Sequence, residues 1–226
     1  MVGLQNRVLS KAEILKVIKW SKMARRRHKP NTQRNFVIWR LSCCCGLRCK
    51  EIVGLNLGDF FLKTDKPFIR IRKEITKGHR RKGSDEVIRK ARIVPLTVDR
   101  QTKEDLAAWL EFRMTQTGGD RNAPFVCSQM PKTKGKRMYL STVAKCWQTS
   151  LLCLGRDRAK TTSIHSGRHT AISMLLHCGY SLPFVRDFAG HANISTTSLY
   201  AHVYENDGVT TEAFNFAPAR KQKVPA

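Results

Sequence analysis

GHANISTTSLYAHV, residues 190–203, decides how the rest of this chain is read. A Gly-His pair opens the stretch, a Ser/Thr run reads as a short capped helix, and Tyr200 stands nine residues after His191. Two readings of Tyr200 are open at this point. An aromatic side chain here is ordinarily half-buried packing with its hydroxyl on a neighbour. A tyrosine hydroxyl is also a nucleophile once a base or a cationic setting assists it.

Around that stretch the chain runs to 226 residues, of which 41% are hydrophobic. That is enough for one substantial domain or two small ones with a real core. Lys and Arg number 42 against 17 acids, a formal charge of +25. A field of that sign attracts polyanions, nucleic acid first among them. No apolar run approaches the roughly eighteen residues of a membrane span, and residues 1–16 carry neither an apolar signal core nor a small-residue cleavage site. No membrane partner is expected, and the expected location is cytoplasmic, associated with the nucleoid. Eight cysteines, three of them consecutive at 43–45, form no C-x-x-C pair. Neighbours on a helix diverge, so zinc is not expected; the thiols read as small reduced core residues.

The hydrophobic patterning gives a mainly α protein with a small antiparallel β-sheet, an α+β class. Ser10 and Glu13 form a capping box ahead of an apolar stripe that runs to the basic stretch 24–30. FVIWRLSCCC (36–45) reads as a buried helix and LRCKEIVGL (47–55) as another. FIRIRKEIT (68–76) and ARIVPL (91–96) read as strands, joined by a long Gly-rich turn. From Arg70 to Arg92 there are ten Lys or Arg and three acids, a basic ribbon. Residues 130–141 are a second basic loop. Arg80, Arg81, Lys82, Lys134, Lys136 and Arg137 are the expected phosphate contacts. Residues 97–116 read as a helix, and 141–155 as one capped by Ser141 and stopped by Gly155. Three short helices follow, two of them ended by Gly179 and Gly190. The stretch after residue 207 has no periodicity.

Within this frame, IHSGRHTAIS (164–173) sets His165 and Arg168 on one helical face. GLRCKEI puts Arg48 at the head of a helix, where a cation opposes the helix dipole and calls for Glu51 or a bound anion. His191 falls just past a helix C-terminus.

From about residue 10 to 204 the chain resembles the catalytic domain of the tyrosine recombinases, the phage integrase family. The resemblance rests on GLRCKEIVGL, on ITKG followed by ARIVPL, on IHSGRHTAIS, and on AGHANISTTSLYAHV with the spacings between them. It implies that family's catalytic-domain fold and site-specific cleavage and rejoining of double-stranded DNA through a 3′-phosphotyrosyl intermediate. Tyr200 matches the nucleophile, and Arg48 and Arg168 match the pair that holds the non-bridging phosphate oxygens. His165 matches the general base or proton shuttle, and His191 a donor to the same phosphate. Glu51 matches a carboxylate that orients these donors. Lys77 best matches the acid that protonates the leaving 5′-oxygen; the turn after it is longer than usual, so Lys82 and Lys90 stand as alternatives. No metal and no cofactor are implied. The expected partners are DNA, further copies of the chain in a tetramer on DNA, and a separate clamp or directionality factor.

The expected organisation is a catalytic domain over 1–208 and a tail over 209–226 that docks on a neighbouring subunit through EAFNF (212–216). The N-terminal clamp domain of full-length members is expected to be absent. Ser166-Gly167 stands where the family more often has Asp-Leu, and a glycine there costs a helix about 1 kcal/mol relative to alanine, which predicts a looser helix. Tyr139, Tyr180, Tyr204, His169 and His177 read as packing, surface or structural residues, and His28 and His79 as members of basic loops. Two other functions fit the residues: a type IB topoisomerase-like nicking and rejoining enzyme, and a DNA-binding accessory factor without cleavage.

Overall fold

The Ser10–Glu13 capping box forms as expected and starts α1 (Lys11–Arg25): Ser10 N donates to Glu13 Oε2 at 2.8 Å and Glu13 N to Ser10 Oγ at 3.3 Å. Arg158 closes on the same carboxylate at 2.6 Å. The computed structural model describes residues 8–25, 30–80, 85, 87–96 and 99–200. His28, Arg81, Lys82, Tyr204 and the tail 209–226, with its 212–216 segment, lie outside the described residues.

The core is organised around α2 (Pro30–Cys43), which opens on proline at its first turn, where the missing N–H is no loss. Residues 36–43 of this helix are all buried. A helix apolar on every side must be surrounded, and α2 is flanked by α1, α4 (Arg100–Gln116), α5 (Leu140–Ser150) and α7 (Ile164–His177). Trp39, Trp109 and Trp147 are fully buried between them. Arg40, 1% exposed, is the exception to the apolar pattern. Its charge is met by Asp105 at 2.8 Å and Asp99 at 3.6 Å. Cys43, Cys44 and Cys45 are buried free thiols, and burial raises all three, Cys44 to about 12.

The seam between α2 and α7 overturns one expectation. A Cβ at Gly167 would lie 2.2 Å from Ser42 Oγ and 2.9 Å from Cys43 Sγ. Gly167 therefore does not loosen α7; its missing side chain is what lets the two helices close, and Ser42 Oγ then donates to Ile164 O at 2.7 Å.

One antiparallel sheet has the order β1 (Phe60–Phe61), β2 (Phe68–Ile71), β5 (Arg92–Pro95), with Ile69 opposite Val94. Ile69, Ile71 and Val94 are buried, as strand alternation requires. Between β2 and β5, β3 (His79–Arg80) and β4 (Val87–Ile88) pair as a second, two-stranded sheet that the sequence reading did not resolve.

The helix boundaries differ from expectation at several points, with α2 beginning at Pro30 rather than at residue 36 and α5 ending at Ser150 rather than at Gly155. α5 begins at Leu140, with Tyr139 rather than Ser141 at the cap position and no side-chain cap bond. A short α6 (Arg156–Thr161) follows Gly155 and was not anticipated, since six residues carry too little periodicity to detect. α7 is a full 14-residue helix. The remaining elements are α3 (Cys49–Gly54), α8 (Leu182–Ala189) and α9 (Ser195–Ser198). Among the described residues no helix is long and apolar enough to cross a membrane.

Candidate active site

The C-terminus of α8 is the structural centre of the site. A helix end leaves its last carbonyls without intrahelical partners and concentrates negative partial charge there. Here three consecutive carbonyls each accept from a different arginine. Phe188 O takes Arg92 Nε at 3.1 Å, Ala189 O takes Arg168 Nη2 at 2.6 Å, and Gly190 O takes Arg48 Nη2 at 3.1 Å. These arginines come from β5, α7 and the cap position of α3, so one helix end gathers three distant parts of the chain. Gly190 ends α8 in the left-handed region at φ 66°, and a Cβ there would meet Arg92 at 2.9–3.1 Å. Both the backbone and the crowding call for glycine.

Glu51 holds the like charges together. It is fully buried on the first turn of α3 and accepts from Arg48 N at 2.8 Å and Arg48 Nη1 at 3.0 Å. Arg92 grips the same carboxylate with Nη1 at 2.6 Å and Nη2 at 2.9 Å. Burial pushes Glu51 up, but the hydrogen bonds and charge of Arg92, with Arg48 and Arg168, overcome this and hold it at about 2. The helix-start conflict at Arg48 is thus met from within the protein. Arg168, 5% exposed, is pushed down to about 9 by burial and by Arg48 and Arg92, against the pull of Glu51 and Tyr200. Its other terminal nitrogen donates to Gly46 O at 2.5 Å, which fixes the guanidinium between two turns.

Two adjoining clefts open beside this cluster. One, of about 740 Å³, is lined by Arg48, Lys77, Lys90, Arg92, His191 and Thr196 among others. The second, of about 610 Å³, is lined by Arg48, Cys49, Lys77, Leu140, Ala144 and His165 among others. Arg48 and Lys77 border both; Lys90 borders only the first. His191 lines the first cleft and His165 the second. Burial and then the cations Arg168, Arg48 and Lys77 lower the His165 pKa. Burial, Arg168, Arg48, Arg92 and His169 take His191 down to about 4. Both imidazoles are neutral at physiological pH.

Tyr200 is 7% exposed and lies beyond α9, in the turn that follows Ser198, rather than on a capped helix. The cap position, Ile194, gives α9 no side-chain bond. The Tyr200 hydroxyl is 2.7 Å from Nδ1 of His169, and the two rings lie 5.4 Å apart at 25°. The His191 ring is 6.3 Å from that of Tyr200, and its Nδ1 lies 2.9 Å from Oγ1 of the buried Thr197.

Arg92, His169 and Thr197 thus join the site without having been picked out from the sequence. Arg92 heads a stretch that read only as a second candidate strand, and its partner Glu51 is 41 residues away. His169 follows Arg168 directly, and shared membership of a helix gave it a structural reading.

The expected phosphate contacts divide. Lys134 and Lys136 are exposed in their loop. Arg137 is engaged with the protein itself: its guanidinium caps the end of α3, donating to Val53 O, to Leu55 O at 3.3 Å and to Asn56 Oδ1 at 2.6 Å. The backbone of Arg80 lies in β3.

Comparison with known proteins agrees with this architecture. The model of the phage integrase family matches residues 7–207. A tyrosine recombinase of Pseudothermotoga lettingae is 32% identical over 175 residues, 77% of this chain and 51% of that protein. The tyrosine recombinase XerC of Corynebacterium glutamicum is 30% identical over 187 residues, 83% of this chain and 52% of that one. The chain thus spans about half the length of the curated relatives it matches. Among solved structures, XerA recombinase superposes with a TM-score of 0.63 at 22% identity, over 86% of this chain and 58% of that one. A lambda integrase (75–356) dimer bound to a COC′ core site gives 0.57 at 14% identity, over 90% and 62%. These structural likenesses speak for the fold, and the family match for descent: the chain belongs to the phage integrase family, the tyrosine recombinases.

Proposed function

We propose that this chain cleaves and rejoins double-stranded DNA as a site-specific recombinase or integrase, with Tyr200 attacking a backbone phosphate to form a 3′-phosphotyrosyl link. The observation that carries the reading is the convergence of Arg48, Lys77, His165 and His191 about two adjoining clefts, with Arg168 bound beside Arg48 to the same helix end and a tyrosine hydroxyl already in a hydrogen bond.

Each residue has a chemical part. Arg48 and Arg168 offer the N–H groups left over by the carbonyls of Gly46, Ala189 and Gly190 to the non-bridging oxygens, and offset the charge that develops on the phosphorane. Glu51 and Arg92 keep these guanidiniums aimed. His191 is neutral, and a Thr197 hydroxyl donating to Nδ1 leaves the proton on Nε2, free to donate to phosphate. His165, in the adjoining cleft with Arg48 and Lys77, is able to hydrogen-bond or shuttle a proton. Lys77 protonates the leaving 5′-oxygen; its place on both clefts supports it over Lys90. Exposed Lys134 and Lys136 extend the contact along the DNA backbone. On this reading the protein acts where DNA is, in the cytoplasm and on the nucleoid, and strand exchange requires further copies of the chain, as a tetramer.

The test is incubation with a pool of nicked duplexes from the DNA that flanks its own gene. The nick lets a short 5′-hydroxyl strand leave, so cleavage is trapped. An SDS-resistant adduct mapped to Tyr200, and lost in Tyr200→Phe, is the expected result. Binding without an adduct overturns the reading in favour of an accessory factor, and relaxation of supercoiled DNA at no preferred site favours a topoisomerase.

A further inference from the structure

The imidazole in contact with the Tyr200 hydroxyl belongs to His169, a residue that neither the sequence motif nor the phosphate cleft picked out. Tyrosine ionises near pH 10 in water, so a phenol attacking at neutral pH transfers its proton as it bonds to phosphorus. A base for that step stands within about 2.6–3.2 Å of the hydroxyl. His169 Nδ1 is at 2.7 Å. The ring planes differ by only 25°, and the hydroxyl, 7% exposed with its residue, is screened from bulk water that would otherwise compete for its proton.

We infer that His169 is the base that takes the phenolic proton of Tyr200. This rests on the reading of Tyr200 as nucleophile. As Oη bonds to phosphorus, the O–H bond breaks and its proton passes to Nδ1. The P–O5′ bond breaks in the same displacement, and the leaving oxygen takes a proton from the Lys77 ammonium. Rejoining runs the same transfers backwards, with His169 imidazolium returning its proton to the tyrosine oxygen. The imidazolium forms within electrostatic reach of His191, where the charge of the bound phosphate offsets the cations of the site. His165, in the second cleft, is then left to serve the phosphate.

The test is single-turnover cleavage of the nicked duplex recovered from the flanking-DNA pool, comparing wild type with His169→Ala and His169→Asn. Asparagine places an amide oxygen near the Nδ1 position and accepts a hydrogen bond, but takes no proton at neutral pH. Both variants are expected to cleave about 100-fold more slowly, with thermal midpoint and DNA affinity unchanged, and added imidazole should restore adduct formation in His169→Ala. Cleavage by His169→Ala at the wild-type rate overturns the inference. So does full activity of His169→Asn, which would make the contact one of positioning alone. Absence of a Tyr200 adduct from the wild-type protein overturns the nucleophile reading and takes this inference with it; an adduct with an indifferent His169 overturns the inference alone.

Discussion

Replacing Glu51 with glutamine removes the one carboxylate that Arg48 and Arg92 share, and the structure fixes what that should cost. A carboxyl lowered from 4.5 to about 2 is held in its charged form by about 3 kcal/mol. Breaking an ion pair whose carboxylate is buried costs a similar 3–5 kcal/mol, roughly, in other proteins. Glu51→Gln should therefore lose about 3 kcal/mol of folding stability at pH 7, read from urea unfolding in a buffer free of phosphate and sulfate. The pH dependence carries a second signature. Because the folded-state pKa is depressed, the stabilisation is fully present above the unfolded value of 4.5 and disappears as pH falls toward about 2. The gap between wild type and variant should hold steady from pH 7 to 5 and then close. A gap that stays constant as pH falls from 5 toward 2, or a variant within about 0.5 kcal/mol of wild type at pH 7, the spread of ordinary surface changes, would refute the argument that this carboxylate binds the cluster together.

Gly167→Ala should destabilise by about 1–3 kcal/mol through overpacking against Ser42 and Cys43, despite a gain of about 1 kcal/mol in helix propensity; a urea midpoint above that of wild type would sink the packing explanation. Thr197→Val should free the His191 ring and slow adduct formation about tenfold, as expected for one lost hydrogen bond, while DNA affinity measured by filter binding stays the same.

Local chemistry in the sequence reached some of these features and not others. The Ser10–Glu13 box, the alternation of Ile69 and Ile71, and the glycine stop at Gly190 all depend on neighbours a few residues apart, and all appear in the structure. The gathering of Arg48, His165, Arg168 and His191 was legible only through resemblance, since no spacing rule brings α3, α7 and the end of α8 together. The Arg92–Glu51 pair and the Tyr200–His169 contact join residues 41 and 31 apart, and alternation or helical phase says nothing about such meetings. Gly167 is the sharpest case: its helix propensity pointed to looseness, while the side chains of Ser42 and Cys43, far off in sequence, reverse the sign. Arg137 makes the same point on the surface, where an exposed basic loop residue caps α3.

The carbonyls of Phe188, Ala189 and Gly190 have a consequence that concerns linkage rather than architecture. They anchor the very stretch that leads through His191 and Thr197 to Tyr200. An anion that draws Arg48 away from Gly190 O weakens that anchor, so anion occupancy and the freedom of the 190–200 stretch are two faces of one equilibrium. Thermodynamic reciprocity then applies: whatever restrains or releases the tyrosine-bearing stretch must shift the affinity of the arginine cleft by the same factor.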